Sequence, residues 1–329
     1  MNPFAYERAG DAAQAVAAMV ADPGAMFLGG GTNLVDHMRL GVATPERLID
    51  VTRLPFDRVE ETPDGGVRIG ANVRNSDLAA DPLIRTHYPA LSQALLSGAS
   101  GQLRNMATTA GNLLQRTRCV YFQNVDMPCN KRRPGSGCSA IGGYTRYHAI
   151  LGASEDCIAV HPSDMAVAMV ALDATVVVLG PSGERRIPLV DFHRLPGDEP
   201  DRDTVLWHGE LITAVALPAL PLAAHSLYRK VRDRRSFAFA LVSVAAALQV
   251  RDGAVEDVRI AFGGVAHKPW RARRAEGILR AGAATPEQFA RAADAELSSA
   301  QPQPGNAFKV KMLRNTLVAT LQELAGVAA

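Results

Sequence analysis

All four cysteines of this 329-residue chain lie in one stretch that is rich in glycine, proline and arginine. A stretch of that composition favours turns, so its side chains can be directed toward a common centre. Four thiolates on such a loop can surround a [4Fe–4S] cluster or a Zn²⁺ ion, because thiolates suit soft and borderline metals. We therefore predict a metal centre formed by Cys119, Cys129, Cys138 and Cys157.

The spacing of the cysteines disfavours zinc. Nine, eight and eighteen residues separate successive cysteines, whereas structural zinc sites usually pair their ligands a few residues apart. Two disulfides in an exported protein, or unrelated buried thiols, are the remaining alternatives. The sequences Pro128-Cys129-Asn130-Lys131 and Ser136-Gly137-Cys138-Ser139 are polar turns and not apolar core segments, which favours the metal.

The balance of charges disfavours two classes of partner. The 35 basic and 33 acidic side chains nearly cancel, which argues against a nucleic-acid-binding or membrane-surface protein. The length favours two or three domains, and 47% apolar residues can fill large cores. We expect no membrane insertion, because no run of eighteen apolar residues occurs, and no export signal of its own, because no basic leader precedes an apolar run at the start.

Hydrophobic periodicity and turn residues predict a mixed order of helices and strands. The passage between Pro196 and Pro221 is predicted to be a linker. The segments SLYRKV, FALVSVAAALQV and VEDVRIAFGG after it are predicted to form an antiparallel meander that three helices follow. The other predicted elements are a helix over 11–20, a strand over 25–28, a helix through Leu34, Met38 and Leu40, a strand over 66–73, a helix over 76–97 interrupted near Pro82 and Pro89, the cysteine loop 116–157, a helix over 162–171, and two strands joined at Pro181-Ser182-Gly183.

Two segments of small residues predict an anion site. Gly29-Gly30-Gly31 stands between a predicted strand and a predicted helix, where backbone amides can approach a phosphate without obstruction by a Cβ atom. Thr32 and Asn33 add side-chain donors, and Thr108-Thr109-Ala110-Gly111-Asn112 supplies a second cluster of donors. The run matches neither the dinucleotide fingerprint nor the P-loop. A tight turn without a ligand remains the alternative.

Five motifs spread over the chain resemble one family, the FAD-binding subunits of the molybdenum hydroxylases, which include the xanthine dehydrogenase and carbon monoxide dehydrogenase flavoproteins. The motifs are Phe27-Leu28-Gly29-Gly30-Gly31-Thr32-Asn33-Leu34, Ile69-Gly70-Ala71, Ala107-Thr108-Thr109-Ala110-Gly111-Asn112, His161-Pro162-Ser163-Asp164 and Tyr228-Arg229-Lys230-Val231-Arg232.

The resemblance implies an α+β fold. It would consist of a two-part FAD-binding domain of the PCMH type, similar to vanillyl-alcohol oxidase, followed by a C-terminal antiparallel sheet with helices like that of the CO dehydrogenase flavoproteins. The expected division is an N-terminal α/β subdomain over 1–60, a second FAD-binding subdomain over 61–222 that contains the loop 116–157, and a C-terminal α+β domain over 223–329.

The resemblance also implies which residues hold FAD. The two glycine segments would bind its diphosphate, while Asp164 and Lys230 would contact the flavin side. A carboxylate can accept hydrogen bonds from ribityl hydroxyls or a flavin N–H, and a lysine favours the negative charge of reduced flavin. The implied FAD-binding residues are Met26, Phe27, Leu28, Gly29, Gly30, Gly31, Thr32, Asn33, Leu34, Thr108, Gly111, Asn112, Asp164 and Lys230.

Both flavin-side residues also have a structural interpretation. Asp164 stands at the start of a predicted helix, where a carboxylate offsets the helix dipole. Lys230 belongs to a basic run that ends at Arg235, and such runs are commonly solvated faces or partner surfaces. Arginines and lysines around the cysteines would favour the more negative reduced cluster, or would dock a partner subunit.

Most members of the family lack the cysteine loop, so its presence resembles the bacterial aldehyde oxidoreductase subunits that carry an extra [4Fe–4S] cluster. The resemblance implies an electron-transfer subunit that passes electrons from iron–sulfur clusters through FAD to an external acceptor. Its partners would be a large subunit with a molybdopterin cofactor and a small subunit with two [2Fe–2S] clusters. We find no residue in this chain that would hold molybdenum or hydroxylate the substrate.

Two alternatives to this function remain. One is a subunit of a 4-hydroxybenzoyl-CoA reductase-like complex, in which electrons run toward molybdenum. The other, from a different class, is a zinc-stabilised binding module without a redox role. The expected compartment is the cytoplasm, or the periplasm if a partner that carries a signal co-exports the chain.

Overall fold

The computed structural model describes residues 1–327 and begins with a small parallel sheet. Its strands pair in the order β1-β3-β2, so both neighbours of β3 run in its direction. Asp11 caps the first helix by accepting a hydrogen bond from the Gln14 N–H. The elements are β1 (Ala5–Arg8), α1 (Ala12–Ala21), β2 (Ala25–Leu28), α2 (Leu34–Arg39) and β3 (Arg47–Asp50).

The second sheet is antiparallel and has five strands, in the order β4-β5-β8-β6-β7. Seven short helices and the cysteine loop lie between its second and third strands in the chain. The strands are β4 (Val59–Glu61), β5 (Val67–Gly70), β6 (Thr175–Gly180), β7 (Gly183–Pro188) and β8 (Leu211–Leu217), and the helices are α3 (Asn75–Ala80), α4 (Pro82–His87), α5 (Pro89–Ser97), α6 (Gly101–Arg104), α7 (Thr109–Leu113), α8 (Val120–Gln123), α9 (Asp164–Ala171) and α10 (Leu189–Phe192).

The third sheet is also antiparallel, in the order β12-β11-β10-β9, and three helices follow it. Alternate side chains of β10 pack on opposite faces: Val244 joins the core with α13, whereas Ala245 joins the core with α9. The elements are β9 (Ser226–Val231), β10 (Val242–Arg251), β11 (Ala254–Gly263), β12 (Trp270–Arg271), α11 (Arg273–Leu279), α12 (Pro286–Leu297) and α13 (Phe308–Ala325).

Helix α9 is buried along its whole length, so it is the central element between the second and third sheets. Every residue from Asp164 to Ala171 is buried, and the helix packs against α5 on one side and β10 and β11 on the other. A helix that is buried on all sides has a continuously hydrophobic sequence and not an amphipathic one. Its first residue, Asp164, is therefore a buried carboxyl group at the start of a core helix.

Most of the predicted elements are confirmed. The meander forms β9, β10 and β11, the Pro181-Ser182-Gly183 turn joins β6 to β7, and prolines divide 76–97 into α3, α4 and α5. The helix expected from Pro162 begins at Asp164, because Ser163 is its N-cap. Among the described residues 1–327, no helix has the length and apolarity needed to span a membrane.

The linker predicted between Pro196 and Pro221 is wrong. This passage contains β8, a buried strand that pairs with both β5 and β6 in the middle of the five-stranded sheet. The prolines lie at its flanks, where they cannot remove a ladder hydrogen bond. Because this central strand comes late in the chain, residues near 215 pair with residues near 69 in the same sheet.

Candidate functional site

The two glycine segments contact each other directly. A Cβ atom on Gly30 would lie 2.0 Å from the carbonyl oxygen of Met106, so only glycine lets these backbones approach so closely. Gly29 packs in the same way against Thr108, whose hydroxyl accepts a hydrogen bond from the Gly111 N–H at 3.2 Å. Gly31 has φ +74°, the left-handed conformation that turns the chain into α2. The second predicted glycine segment therefore lies against the first.

A cavity of about 550 Å³, which we name the main cavity, opens beside this contact. Six of the fourteen predicted FAD residues line it: Thr32, Asn33, Gly111, Asn112, Asp164 and Lys230. The other eight lie outside its lining, in β2, in the glycine turn, at the first residue of α2 and at the N-cap of α7: Met26, Phe27, Leu28, Gly29, Gly30, Gly31, Leu34 and Thr108.

Asp164 and Lys230 form a buried ion pair in the wall of the main cavity. The lysine Nζ lies 2.7 Å from Oδ2 of the aspartate, and the two side chains are 3% and 9% exposed. Lys230 also donates to the Ser97 carbonyl at 3.2 Å, and the Tyr228 hydroxyl donates to the other oxygen of Asp164 at 2.5 Å. Burial and the neighbouring Asp164 raise the pKa of Tyr228 well above its usual value. The solvated-face interpretation of Lys230 is therefore wrong.

The interpretation of Asp164 as a helix-terminal carboxylate is incomplete. Asp164 is the first residue of α9, so it does lie in the positive end of the helix dipole. It accepts hydrogen bonds from Lys230 and Tyr228 as well, and both donors belong to β9. The Asp164 carboxyl group thus links helix α9 to strand β9 of the third sheet at the wall of the main cavity.

Asn75 is a cavity residue that the sequence motifs missed. Its side chain is buried, it lines the main cavity, and its Oδ1 has no hydrogen-bond partner in the structure. A buried acceptor without a partner is costly, so it suits a ligand that brings a hydroxyl or an amine. Asn75 follows β5 without a distinctive motif, and only its three-dimensional position marks it. Arg104, Gln115 and Arg118 also line the cavity and were missed.

The four cysteines meet at a second, smaller site. All four line one small cavity together with Phe122, and Cys129 and Cys138 face each other in an antiparallel bridge. Each is a free thiol, so the disulfide alternative is not supported. Burial raises the pKa of Cys119 to about 11 and that of Cys157 to about 12. These two groups are therefore neutral thiols near pH 7 unless a metal displaces their protons.

The structure does not support the metal centre that the sequence predicted at these cysteines. Among residues 1–327, no group of three or more His, Cys, Asp or Glu side chains is positioned to hold a metal ion. A single zinc ion must lie about 2.3 Å from every thiolate, whereas a cubane places iron and sulfide between its ligands. The [4Fe–4S] cluster expected at these cysteines is therefore not supported by the part of the chain that the structure describes, and it stays a prediction.

Arg132 holds the cysteine loop in shape. Its guanidinium donates to the carbonyl oxygens of Tyr121 and Phe122 at 3.0 and 2.8 Å, to that of Val125 at 3.2 Å, and to that of Met127. The planar fork of arginine can satisfy several acceptors at once. The basic residue closes the turn between the first two cysteines, a structural role that differs from the cluster tuning and partner docking expected for such residues.

Lys131 connects the loop to the rest of the molecule. It is 3% exposed, donates to the Pro200 carbonyl at 2.7 Å, lies 2.8 Å from Nε2 of His267, and pairs with Asp203. Arg116 pairs with the same carboxylate at 2.6 Å. Both cations hold the pKa of Asp203 far below its usual value against the opposing effect of burial. Lys131 also lines the cysteine cavity, so a fixed positive charge lies beside the four thiols.

A further cavity of about 480 Å³, the side cavity, lies between the two sites. It shares lining residues with the main cavity, among them Arg118, Asp164 and Phe239, and its lining also includes Cys119 and His148. The guanidinium of Arg118 lies 5.1 Å from the ring centre of Phe239. The side cavity therefore shares lining residues with both the main cavity and the cysteine site.

Comparison with known proteins agrees with this architecture. Residues 2–220 match the family described as FAD binding domain in molybdopterin dehydrogenase, and residues 197–324 match the CO dehydrogenase flavoprotein C-terminal domain. The α+β fold class predicted from the sequence is thereby confirmed.

The similar proteins are subunits of oxidoreductases. The chain is 54% identical over 324 residues to the aldehyde oxidoreductase FAD-binding subunit PaoB of Escherichia coli K12, with 98% of each chain covered. It is 28% identical to the glyceraldehyde dehydrogenase medium chain of Sulfolobus acidocaldarius, over 83% of this chain and 79% of the relative. A carbon monoxide dehydrogenase structure from Hydrogenophaga pseudoflava covers all of both chains at 26% identity, with a TM-score of 0.77.

These matches overturn the alternative of a binding module without a redox role. The fold, the cavity at the glycine segments and the comparisons agree, and the chain belongs to the family of FAD-binding subunits of the molybdenum hydroxylases.

Proposed function

We propose that the chain is the subunit of an aldehyde-oxidising molybdenum hydroxylase that carries FAD and one [4Fe–4S] cluster. Its partners are a large subunit with the molybdenum cofactor and a small subunit with two [2Fe–2S] clusters, and it delivers electrons to an external acceptor. The observation that carries the proposal is the adjacency of the four-cysteine site and the main cavity, with Cys119 exposed to the space between them. The aldehyde assignment rests on the relative named aldehyde oxidoreductase, with 54% identity over nearly the whole chain.

The main cavity has the features that FAD requires. Thr32 and Asn33, which follow the glycine turn, line the cavity together with Gly111 and Asn112 of α7 and supply polar groups for a diphosphate, while the glycine turn itself lies outside the lining. The orphan acceptor of Asn75 suits a hydroxyl or an amine of the cofactor. FAD supplies the two-electron chemistry, while the residues bind it, orient it and shield it from water.

Asp164 and Lys230 act in this proposal as one unit. Because the lysine is already paired, it does not bring an isolated positive charge to the flavin. The pair places a donor and an acceptor in one wall of the cavity, and the Tyr228 hydroxyl holds the carboxylate in place. A unit of this kind can hydrogen-bond to both the carbonyl and the N–H groups of a flavin ring.

The cysteine site has a donor set that suits an iron–sulfur cluster. Four thiols share one cavity, and Lys131 lies in its wall. Because Lys131 is paired with Asp203, it does not bring an isolated positive charge to the cluster. A cubane supplies one-electron transfer; the chain's part is to hold the four ligands and exclude water.

The test uses the purified three-subunit complex under anaerobic conditions. Addition of an aldehyde should bleach the flavin absorbance, and an external acceptor should restore it. The same flavin subunit in a preparation without the molybdenum subunit should stay oxidised, because this chain has no group that removes hydride from an aldehyde. A flavin that remains oxidised in the intact complex with every aldehyde in a panel would contradict the proposal, and net electron flow from the flavin to a bound acyl-CoA would favour the reductase alternative.

A further inference from the structure

His148 lies against a cysteine sulfur. Its Nε2 is 3.2 Å from the Sγ atom of Cys119, and the side chain is buried. Contacts of this length between a ring N–H and a sulfur are hydrogen bonds, and hydrogen bonds to cysteine sulfurs are one of the ways in which a protein sets the potential of an iron–sulfur cluster.

The backbone of His148 is fixed from three directions. Lys309, in the first turn of α13, and Asn306, just before that helix, donate to its carbonyl oxygen at 2.7 and 3.1 Å. Its own N–H donates to the Thr145 carbonyl at 2.9 Å. The imidazole is therefore held against the sulfur by the C-terminal part of the chain, about 160 residues away in sequence.

The partners of the ring define its hydrogen-bonding role. The Nδ1 atom is buried and has no partner, so Nε2 makes the ring's hydrogen bond. When Cys119 is a metal-bound thiolate it has no proton, and the proton of the contact must then belong to the histidine. The neutral ring with a proton on Nε2 is thus the tautomer that fits a loaded site.

His148 and Cys119 also lie on the side of the cysteine site that faces the main cavity. Both line the side cavity, which shares Arg118 and Asp164 with the main cavity. The other three cysteines lie outside that lining. Cys119 therefore lines both the side cavity and the cysteine site, and the His148 ring contacts its sulfur.

We infer that His148 donates a hydrogen bond to the Cys119 sulfur and thereby raises the reduction potential of the [4Fe–4S] cluster on its flavin-facing side. His148 is a positioning residue, since it acts through the ligand and contacts no substrate. The inference rests on the cluster of the proposed function. A hydrogen bond donated to the Cys119 sulfur would stabilise the additional negative charge of the reduced cluster.

The test measures the cluster potential in the intact complex by redox titration followed with low-temperature EPR. The variant His148→Phe should keep iron and FAD but shift the potential to a more negative value, and His148→Gln, which restores an N–H donor, should recover part of the shift. Tyr147→Phe is the matched control, because Tyr147 lines the same cavity and its hydroxyl donates to Asp233 and not to a sulfur. A His148→Phe complex with full iron content and the wild-type potential would refute the inference.

A second measurement does not depend on His148→Phe and covers the case in which that variant loses its iron. Wild-type complex labelled with ¹⁵N-histidine and reduced should show a weak ¹⁵N coupling to the cluster in pulsed EPR, and His148→Gln labelled in the same way should lose it. A reduced cluster without histidine coupling would overturn the inference while leaving the proposed function intact. A wild-type chain without iron at this site would instead refute the cluster itself, and the role of His148 with it.

Discussion

The main cavity and the cysteine site are built by opposite means. At the main cavity, glycines allow two backbones to approach so closely that one added Cβ would lie 2.0 Å from a carbonyl oxygen. At the cysteine site the chain has almost no regular structure, and arginine and lysine side chains hold it by donating to backbone carbonyls. The main cavity depends on glycines that lack a side chain, whereas the cysteine site depends on long basic side chains that hold the backbone. Substitutions should therefore damage the two sites independently.

The largest effect is expected for Cys129→Ser. A serine oxygen is a harder ligand than a thiolate, so the cluster should be lost. The iron content should fall by about four atoms per complex. The loop should become more susceptible to proteolysis, because metal binding and loop order are coupled. FAD content should stay close to the wild-type value. The matched control is Ser139→Ala on the same loop, and equal iron in Cys129→Ser and in this control would refute the ligand assignment.

Gly30→Ala should have the opposite effect, with loss of FAD and retention of iron. The new Cβ would meet the backbone of Met106, which cannot move aside as the end of a side chain can, so the two glycine segments must separate. We expect FAD content to fall to less than about half, with iron retained, since overpacking of this kind costs about 1–3 kcal/mol. Gly101→Ala is the matched control, because a Cβ there meets nothing within 4 Å. Full flavin content in Gly30→Ala would show that the contact does not shape the site.

Lys230→Met tests whether the buried pair belongs to the FAD site. The substitution leaves Asp164 without its cation, and removal of one partner of a buried pair costs about 3–5 kcal/mol. Thermal unfolding should occur at lower temperature, and the flavin should be reoxidised more slowly by the external acceptor. Arg235→Met, an exposed position of the same basic run, should leave both unchanged. Unchanged reoxidation, flavin content and flavin potential in Lys230→Met would confine the pair to a structural role.

Lys309 gives the smallest effect and one that depends on pH. Burial lowers its pKa from 10.5 to about 7, so between these values the unfolded chain binds the proton more fully than the folded chain does. The free energy of unfolding should therefore rise as the pH increases from about 7 toward 10, by up to a few kcal/mol. Lys309→Met should lack this contribution and should leave the Gly264 carbonyl without this donor, while the His148 carbonyl keeps its hydrogen bond from Asn306.

The measurement is urea unfolding of wild type and Lys309→Met across that pH range. The difference between the two proteins removes the contribution of other groups that titrate there. Parallel pH profiles would indicate that Lys309 is protonated throughout, held in that state by its two carbonyl acceptors.

The same contrast explains how far the sequence could predict the molecule. The meander and the division of 76–97 followed from periodicity and from prolines, which are local signals. Strand β8 was missed because prolines on both sides gave its apolar run the appearance of a linker. Its pairing with β5 lies about 145 residues away in sequence, and nothing local indicates it.

Site residues divide in the same way. The glycine segments and the cysteines could be predicted because their residue types are unusual where they occur. Asn75 and His148 could not, since an asparagine and a histidine are ordinary at those positions and only tertiary neighbours give them a role. Lys230 was open to a surface interpretation because it belongs to an arginine-rich run of the sequence, while its own side chain is directed inward to Asp164.

The central claim is that one chain carries both a flavin and a cubane cluster, and Mössbauer spectroscopy of the ⁵⁷Fe-labelled wild-type complex tests it most directly. With two [2Fe–2S] clusters in the small subunit, the account predicts about eight iron atoms per complex, of which about half give the signal of a [4Fe–4S] cluster. The complex should also contain one FAD for each copy of this chain. A complex with only about four iron atoms, all in [2Fe–2S] clusters, or with zinc bound by the four cysteines, would contradict the account.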